Sequence, residues 1–181
     1  MKKIIVVIGA PRSGKDTHAK MLSGKLNYKY FSLDYVISEE VKNKTKIGLI
    51  LEKYSQSEVQ APDEYAIMLM KDAIINLKED GIVFNNYPQT IAQAKALDSF
   101  LFSRRIEKVV PVFLNIDQFD TLNRMVENSR DSFNKTMNDY DKNKKPVVDY
   151  YTSNRIEFDT SKNNSEIINE EIIKKLKEKG C

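Results

Sequence analysis

The chain has 181 residues, 29 Lys+Arg against 26 Asp+Glu for a formal net charge of +3, and 41% hydrophobic and 30% charged residues. That is the balance of one soluble domain able to bury on the order of 70% of its unfolded surface; so small a net charge argues against a nucleic-acid partner, and no apolar stretch approaches the ~20 residues that span a membrane. With Cys181 the only cysteine, no disulfide within the chain and no cysteine-ligated metal site can form, and a cytoplasmic, reducing setting and a monomer are expected.

Lys2 and Lys3 precede an apolar run at 4–8. The run stops in a glycine-rich turn, so it reads as a buried strand and not as a signal peptide. A helix follows at 15–26 and a weaker strand at 28–32. Residues 34–61 break into short helical pieces, including 35–42, with no strand, which suggests a small flap inserted after the second strand. A helix is predicted at 63–78, with Asp63 as its N-terminal cap and Met68 and Met70 as core. Next come a strand at 82–84, a helix at 90–102, Arg104 and Arg105 as surface residues, a strand at 109–114, and a helix at 117–128 capped by Asp117. Residues 130–146 are polar and rich in Asn and Lys. A weak strand at 155–158 and a helix at 166–179 close the chain; Lys174, Lys175, Lys177 and Lys179 lie among Glu170, Glu171 and Glu178, as on a solvated helix face. Strands alternating with helices imply a parallel sheet covered on both faces, with the site at the carboxyl ends of the strands, after residues 8, 84 and 114.

The chemistry concentrates in residues 9–17, Gly-Ala-Pro-Arg-Ser-Gly-Lys-Asp-Thr. A turn of this composition between a buried strand and a helix points backbone N–H groups into one concavity at the positive end of the helix. Gly9, Pro11, Ser13 and Gly14 form the turn, Lys15 reaches the outer phosphates of a nucleotide such as ATP, and magnesium is expected at Asp16 or Thr17. Asp16 stands where a hydroxyl residue usually follows the Lys. It can serve as a magnesium ligand, since hard cations take carboxylate oxygen, or as a favourable charge on the first helical turn. Arg12 lies inside the loop and points either into the site or to solvent. His18 reads as a surface or capping residue.

Several separated motifs together resemble the adenylate kinase family of nucleoside monophosphate kinases: the loop and first turn at 9–19, Ser32 through Val41, Ile47-Gly48, Pro62-Asp63-Glu64, Asn85 through Ala94, Arg124, and Pro146-Val147-Val148 with Tyr150-Tyr151. The resemblance implies a three-layer α/β P-loop fold, with a central, mostly parallel five-stranded sheet, in a single domain over 1–181. It also implies a helical monophosphate-binding flap at 34–61 and a lid shortened to a turn around Arg130 and Asp131, at 129–135. The implied activity is transfer of the γ-phosphate of ATP, with Mg2+, to a nucleoside monophosphate. Lys15, Arg12 and Arg124 carry the implied catalytic charge, with Arg124 against the donor base or phosphate. Ser32, Ser38, Tyr87, Gln89 and Gln93 line the implied acceptor site, where Tyr87 forms an aromatic wall and Gln93 either reads the acceptor base edge or is an exposed helix position.

The departures are specific. Family arginines align with Ser38, Gln89 and Asn128, a later one aligns near Thr136-Met137, and the acid that organises magnesium-bound water aligns with Asn85. Phosphoryl transfer needs positive charge around oxygens that carry spread negative charge. Arg12 offers one compensation, since one type of thymidylate kinase carries an arginine within this loop. Asp16 offers a second, in place of the acid lost at Asn85; Gly-Lys-Asp-Thr also resembles some phage-type deoxynucleotide kinases. The alternative is a catalytically impaired nucleotide-binding protein.

Overall fold

The computed structural model describes residues 2–57, 59–125, 130–161 and 164–180. Apolar runs with few polar interruptions form five strands: β1 (Lys3–Gly9), β2 (Lys29–Ser32), β3 (Gly81–Asn85), β4 (Val110–Asn115) and β5 (Ile156–Asp159). They form one sheet in the order β2-β3-β1-β4-β5, and every neighbouring pair is parallel. The sheet is thus wholly parallel, where the motifs implied mostly parallel. Strands buried on both faces carry such continuous runs: Ile4, Ile5, Val6 and Val7 are at most 1% exposed.

Helices α1 (Lys15–Leu26), α2 (Leu33–Lys42), α3 (Lys46–Gln56), α4 (Asp63–Ile75), α5 (Ile91–Ser103), α6 (Gln118–Asn123), α7 (Arg130–Asp139), α8 (Lys145–Tyr150) and α9 (Ser165–Glu178) surround the sheet. Alternate strand residues feed two cores. Ile4, Val6 and Phe84 pack with α4, α5 and α8 on one face; Ile5, Val7 and Val83 pack with α1 and α9 on the other. The result is a three-layer α/β fold of the P-loop kind. No helix among the described residues is long and apolar enough to cross a membrane.

The helix starting at Lys15 falls where its pattern places it, and Asp117 caps α6 by accepting from the N–H of Asp120 at 2.7 Å. Residues 34–61 hold α2 and α3 and no strand. Other expectations need correction. Helix α4 ends at Ile75, short of 78, and α6 ends at Asn123; residues 126–128 lie outside the described residues. Asp63 is the first residue of α4, behind the capping position at Pro62. Met70 is buried, but Met68 is 44% exposed; two positions apart on a helix point to opposite sides. Arg130 and Asp131 open α7 and do not form a turn; position 129 of the expected lid and Asn128 lie outside the described residues. Between α7 and α8 the helix widens into one π-helical turn, Tyr140–Lys144.

Candidate nucleotide site

Residues Gly9 to Gly14 connect the carboxyl end of β1 to α1. The turn hugs the neighbouring strand so closely that a Cβ on Gly9 would lie 2.1 Å from the carbonyl oxygen of Leu114. Only glycine admits that approach. Gly14 precedes α1 with φ 80° and supplies no side-chain cap. Among the described residues, the N–H groups of Gly14, Lys15, Asp16 and Thr17 make no backbone hydrogen bond. Four unsatisfied donors at the positive end of a twelve-residue helix make an anion site. This donor set suits the outer phosphates of a nucleoside triphosphate.

Lys15 reaches back over the loop, and its Nζ donates to the carbonyl of Ala10 at 2.7 Å. Burial pulls its pKa down to about 8; nearby Asp16 opposes that, and nearby Lys144 reinforces it. A desolvated ammonium with one carbonyl partner gains charge-assisted contacts when phosphate arrives.

Asp16 and Thr17 are exposed on the first turn of α1. Asn85, buried at the end of β3, donates from Nδ2 to Asp16 Oδ1 and to the Tyr30 hydroxyl at 3.1 Å. The fold thus brings Asp16 and Asn85 into direct contact. No group of three or more His, Cys, Asp or Glu able to hold a metal occurs among the described residues. A magnesium ion here would take most of its ligands from phosphate and water, with Asp16 or Thr17 adding one, as suits this cation.

Arg12 is exposed at the loop tip with φ 60°. The guanidinium of Arg124 donates to the carbonyl of Thr160 at 2.8 Å and to that of Arg12 at 3.4 Å. It therefore ties the loop to the segment after β5.

His18 is not a surface residue: it is 3% exposed under the loop. Asn169 of α9 donates from Nδ2 to the carbonyl of Ser165 at 3.1 Å and to His18 Nδ1 at 2.6 Å. Nδ1 must accept, so the ring is neutral with its proton on Nε2. Burial, then the charge of Arg124, lowers the pKa of His18, in agreement. No local pattern marks this contact, because its two residues lie 151 positions apart.

A cleft of about 480 Å³ opens from the loop across the carboxyl end of the sheet. Gly9, Pro11 and Lys15 line one side, Asn86, Tyr87 and Pro88 the second, and Thr136, Tyr140, Asn143 and Lys144 the third. Tyr87 is buried against Phe31 and Phe84 along the second side. Gln93 is 3% exposed, which corrects the exposed alternative. Its Oε1 accepts from the N–H of Gln89 at 2.8 Å, and its Nε2 donates to Asp63 Oδ1 at 2.6 Å. Thr90 donates to the other oxygen of Asp63 at 2.7 Å, so this carboxylate joins the starts of α4 and α5. Neither Gln93 nor the remaining acceptor candidates are among the residues that line the cleft. Ser32 is buried at the end of β2; Ser38 is exposed on α2 with its hydroxyl on the carbonyl of Tyr35 at 2.7 Å; Gln89 Nε2 donates to the carbonyl of Asn86 at 3.2 Å. Lys144 was missed by motif reading. Its only signal was its place in an Asn/Lys-rich stretch.

Comparison with known proteins agrees with this geometry. Three similar proteins are each named adenylate kinase. That of Methanothrix thermoacetophila is 39% identical over 116 residues, 62% of this chain and 52% of that protein. That of Bacteroides thetaiotaomicron is 28% identical over 161 residues, 83% of this chain and 85% of that protein. That of Phocaeicola vulgatus is 29% identical over 157 residues, 81% of this chain and 83% of that protein. The match thus spans about half the length of the first relative and more than four-fifths of the other two. The family model for adenylate kinase matches residues 7–156, most of the chain and all three walls of the cleft, and the chain therefore belongs to the adenylate kinase family.

Proposed function

We propose that this protein moves the γ-phosphate of ATP, as its magnesium complex, to a nucleoside monophosphate. The observation that carries the reading is a half-buried lysine at an uncapped helix N-terminus, in a cleft shared with the Asn86–Pro88 segment. Reactions of this class need positioning and positive charge more than covalent help. In this reading the turn from Gly9 to Gly14 shapes the site, and the free amides from Gly14 to Thr17, with Lys15, hold the donor phosphates. Arg12 swings from the rim to the transferred group, Arg124 holds the loop beside the donor, and Asp16 or Thr17 anchors magnesium. Residues 34–61, with Ser32, Ser38, Tyr87, Gln89 and Gln93, select the acceptor, and 129–135 form a shortened lid. The single domain of residues 1–181 works as a cytoplasmic monomer without nucleic-acid or membrane partners.

One observation favours a second reading, a nucleotide-binding protein without turnover. Ser38, Gln89 and Gln93 are uncharged, and each is already engaged within the fold. An acceptor phosphate bound there would forgo charge-assisted contacts of about 1.5–3 kcal/mol each.

The test is ADP release from ATP–magnesium with a panel of nucleoside monophosphates, comparing wild type with Lys15→Ala and Arg12→Ala. Turnover on at least one acceptor, lost in Lys15→Ala and lowered on the order of 10³-fold in Arg12→Ala, is expected. Calorimetric ATP binding with no turnover on any acceptor would establish the second reading. Full activity in Arg12→Ala would remove that residue's role and leave the kinase assignment standing.

A further inference from the structure

We infer that Lys144 is a catalytic residue that contacts the phosphoryl group in transit and supplies charge that family arginines would otherwise bring. The inference rests on the phosphotransfer reading, and four observations support it.

The first is position. Lys144 lines the wall of the cleft that faces both the phosphate loop and Asn86–Pro88. Its charge is felt at Lys15 across the donor side, and the charge of Asp34, at the start of α2 on the acceptor side, is felt at Lys144. In the phosphotransfer reading, a cation on this wall of the cleft faces both the phosphate loop and the Asn86–Pro88 segment.

The second is helix phase. Position 136, where the resemblance implies an arginine, is occupied by Thr136, which lines the same wall. An uninterrupted α-helix turns residue i+8 about 80° away from residue i. The π-helical turn Tyr140–Lys144 takes up most of that rotation, so Thr136, Tyr140 and Lys144 share the cleft-facing side. Widened turns of this kind recur at functional sites.

The third is the state of the side chain. Among the described residues, the ammonium of Lys144 makes no hydrogen bond or ion pair, although it is half-buried. Asn86 holds Asp34 through its own amide. A partly desolvated cation without a paired anion is unfavourable until one arrives.

The fourth is convergence. Lys15 and Lys144 face one cleft to which, among the described residues, the lining contributes a single acid, Asp139. Two like charges held together in a partly buried site favour a polyanion.

In the reaction, a phosphate oxygen of the dianionic acceptor forms a bond to the γ-phosphorus. The bond from that phosphorus to the β–γ bridging oxygen breaks, and its electron pair leaves with ADP. ATP⁴⁻ and the dianion become two trianions, so charge balances and no proton moves. Lys144 would donate to the equatorial oxygens throughout, where removing one such donor costs about 10²–10³-fold in rate.

The experiment compares wild type with Lys144→Met, Lys144→Arg and the exposed neighbour Lys142→Met. The measurements are steady-state kinetics on the best acceptor, and calorimetric binding of ADP and of a bisubstrate analogue with two nucleosides joined through five phosphates. Lys144→Met should lower kcat on the order of 10²-fold with KM for ATP changed less than about threefold, and should weaken the analogue at least tenfold while leaving ADP binding within about twofold. Lys144→Arg should recover most of the loss, and Lys142→Met should match wild type. Unaltered kcat and analogue binding in Lys144→Met would overturn the role of Lys144 while wild-type turnover keeps the kinase reading. Conversely, a wild type without turnover, whose analogue binding still depends on Lys144, would overturn the kinase reading and with it the catalytic role, leaving Lys144 a polyphosphate-binding residue. Equal weakening of ADP and analogue would overturn the role of Lys144 at the transferred group, by making it a donor-site residue.

Discussion

The ammonium of Lys15 works in a setting that disfavours its charge. Burial brings its pKa from 10.5 to about 8, so between those values the free fold holds fewer protons than the unfolded chain. From this group alone, stability rises with pH across that window. Triphosphate reverses the balance, because a polyanion against the loop favours the charged ammonium. Binding near pH 8 should therefore take up about half a proton, falling toward zero below about pH 6.5. Calorimetry of a non-hydrolysable ATP analogue in buffers of differing ionisation enthalpy checks this; uptake should vanish in Lys15→Ala. Asp16 and Asn85 show how far single residues could be read. The acid at 16 and the missing acid at 85 were both legible as departures from a motif. That Asn85 donates directly to Asp16 was not, because the sheet sets the distance between them.

Between residues 34 and 61, α2 and α3 pack through one close approach. Thr45 caps α3 by accepting from the N–H of Gly48 at 3.0 Å, and Gly48 presses against α2. A Cβ there would lie 1.9 Å from the carbonyl oxygen of Glu40. Gly48→Ala must push the two helices apart, at a cost of about 1–3 kcal/mol or more. Gly24→Ala, on α1 with nothing within 4 Å of its Cβ position, should instead add about 0.5–1 kcal/mol of helix stability. Thermal unfolding should therefore move down for the first and up for the second, by roughly 2–4 °C per kcal/mol. Equal midpoints would mean that α2 and α3 do not meet as described. Element existence was the legible part at this scale except for α7, whose polar residues read as a short turn and form a ten-residue helix. Boundaries were less so, and Met68 was assigned to the core from spacing that places it opposite Met70.

For the whole molecule, one sheet joins two cores and a cleft whose walls come from β1–α1, from β3–α5 and from α7–α8. A ligand held between three walls stabilises the fold by mass action: about 2.7 kcal/mol at a hundred times its Kd. For a domain of this size that corresponds to a rise of about 5–10 °C in Tm. Saturating ATP–magnesium should produce such a rise in wild type and little in Lys15→Ala. No rise in wild type would show that the loop does not hold the triphosphate. The phosphate loop and the parallel α/β order were decided by the sequence itself, because both are written in contiguous residues: an apolar run, a glycine-rich turn and the periods of strand and helix. The pairing of His18 with Asn169, the anchoring of Gln93 on Asp63 and the arrival of Lys144 opposite Lys15 were decided by tertiary structure alone. Each joins residues from 30 to 151 positions apart; local periodicity carries no information about which distant side chains the packed sheet and helices bring within reach.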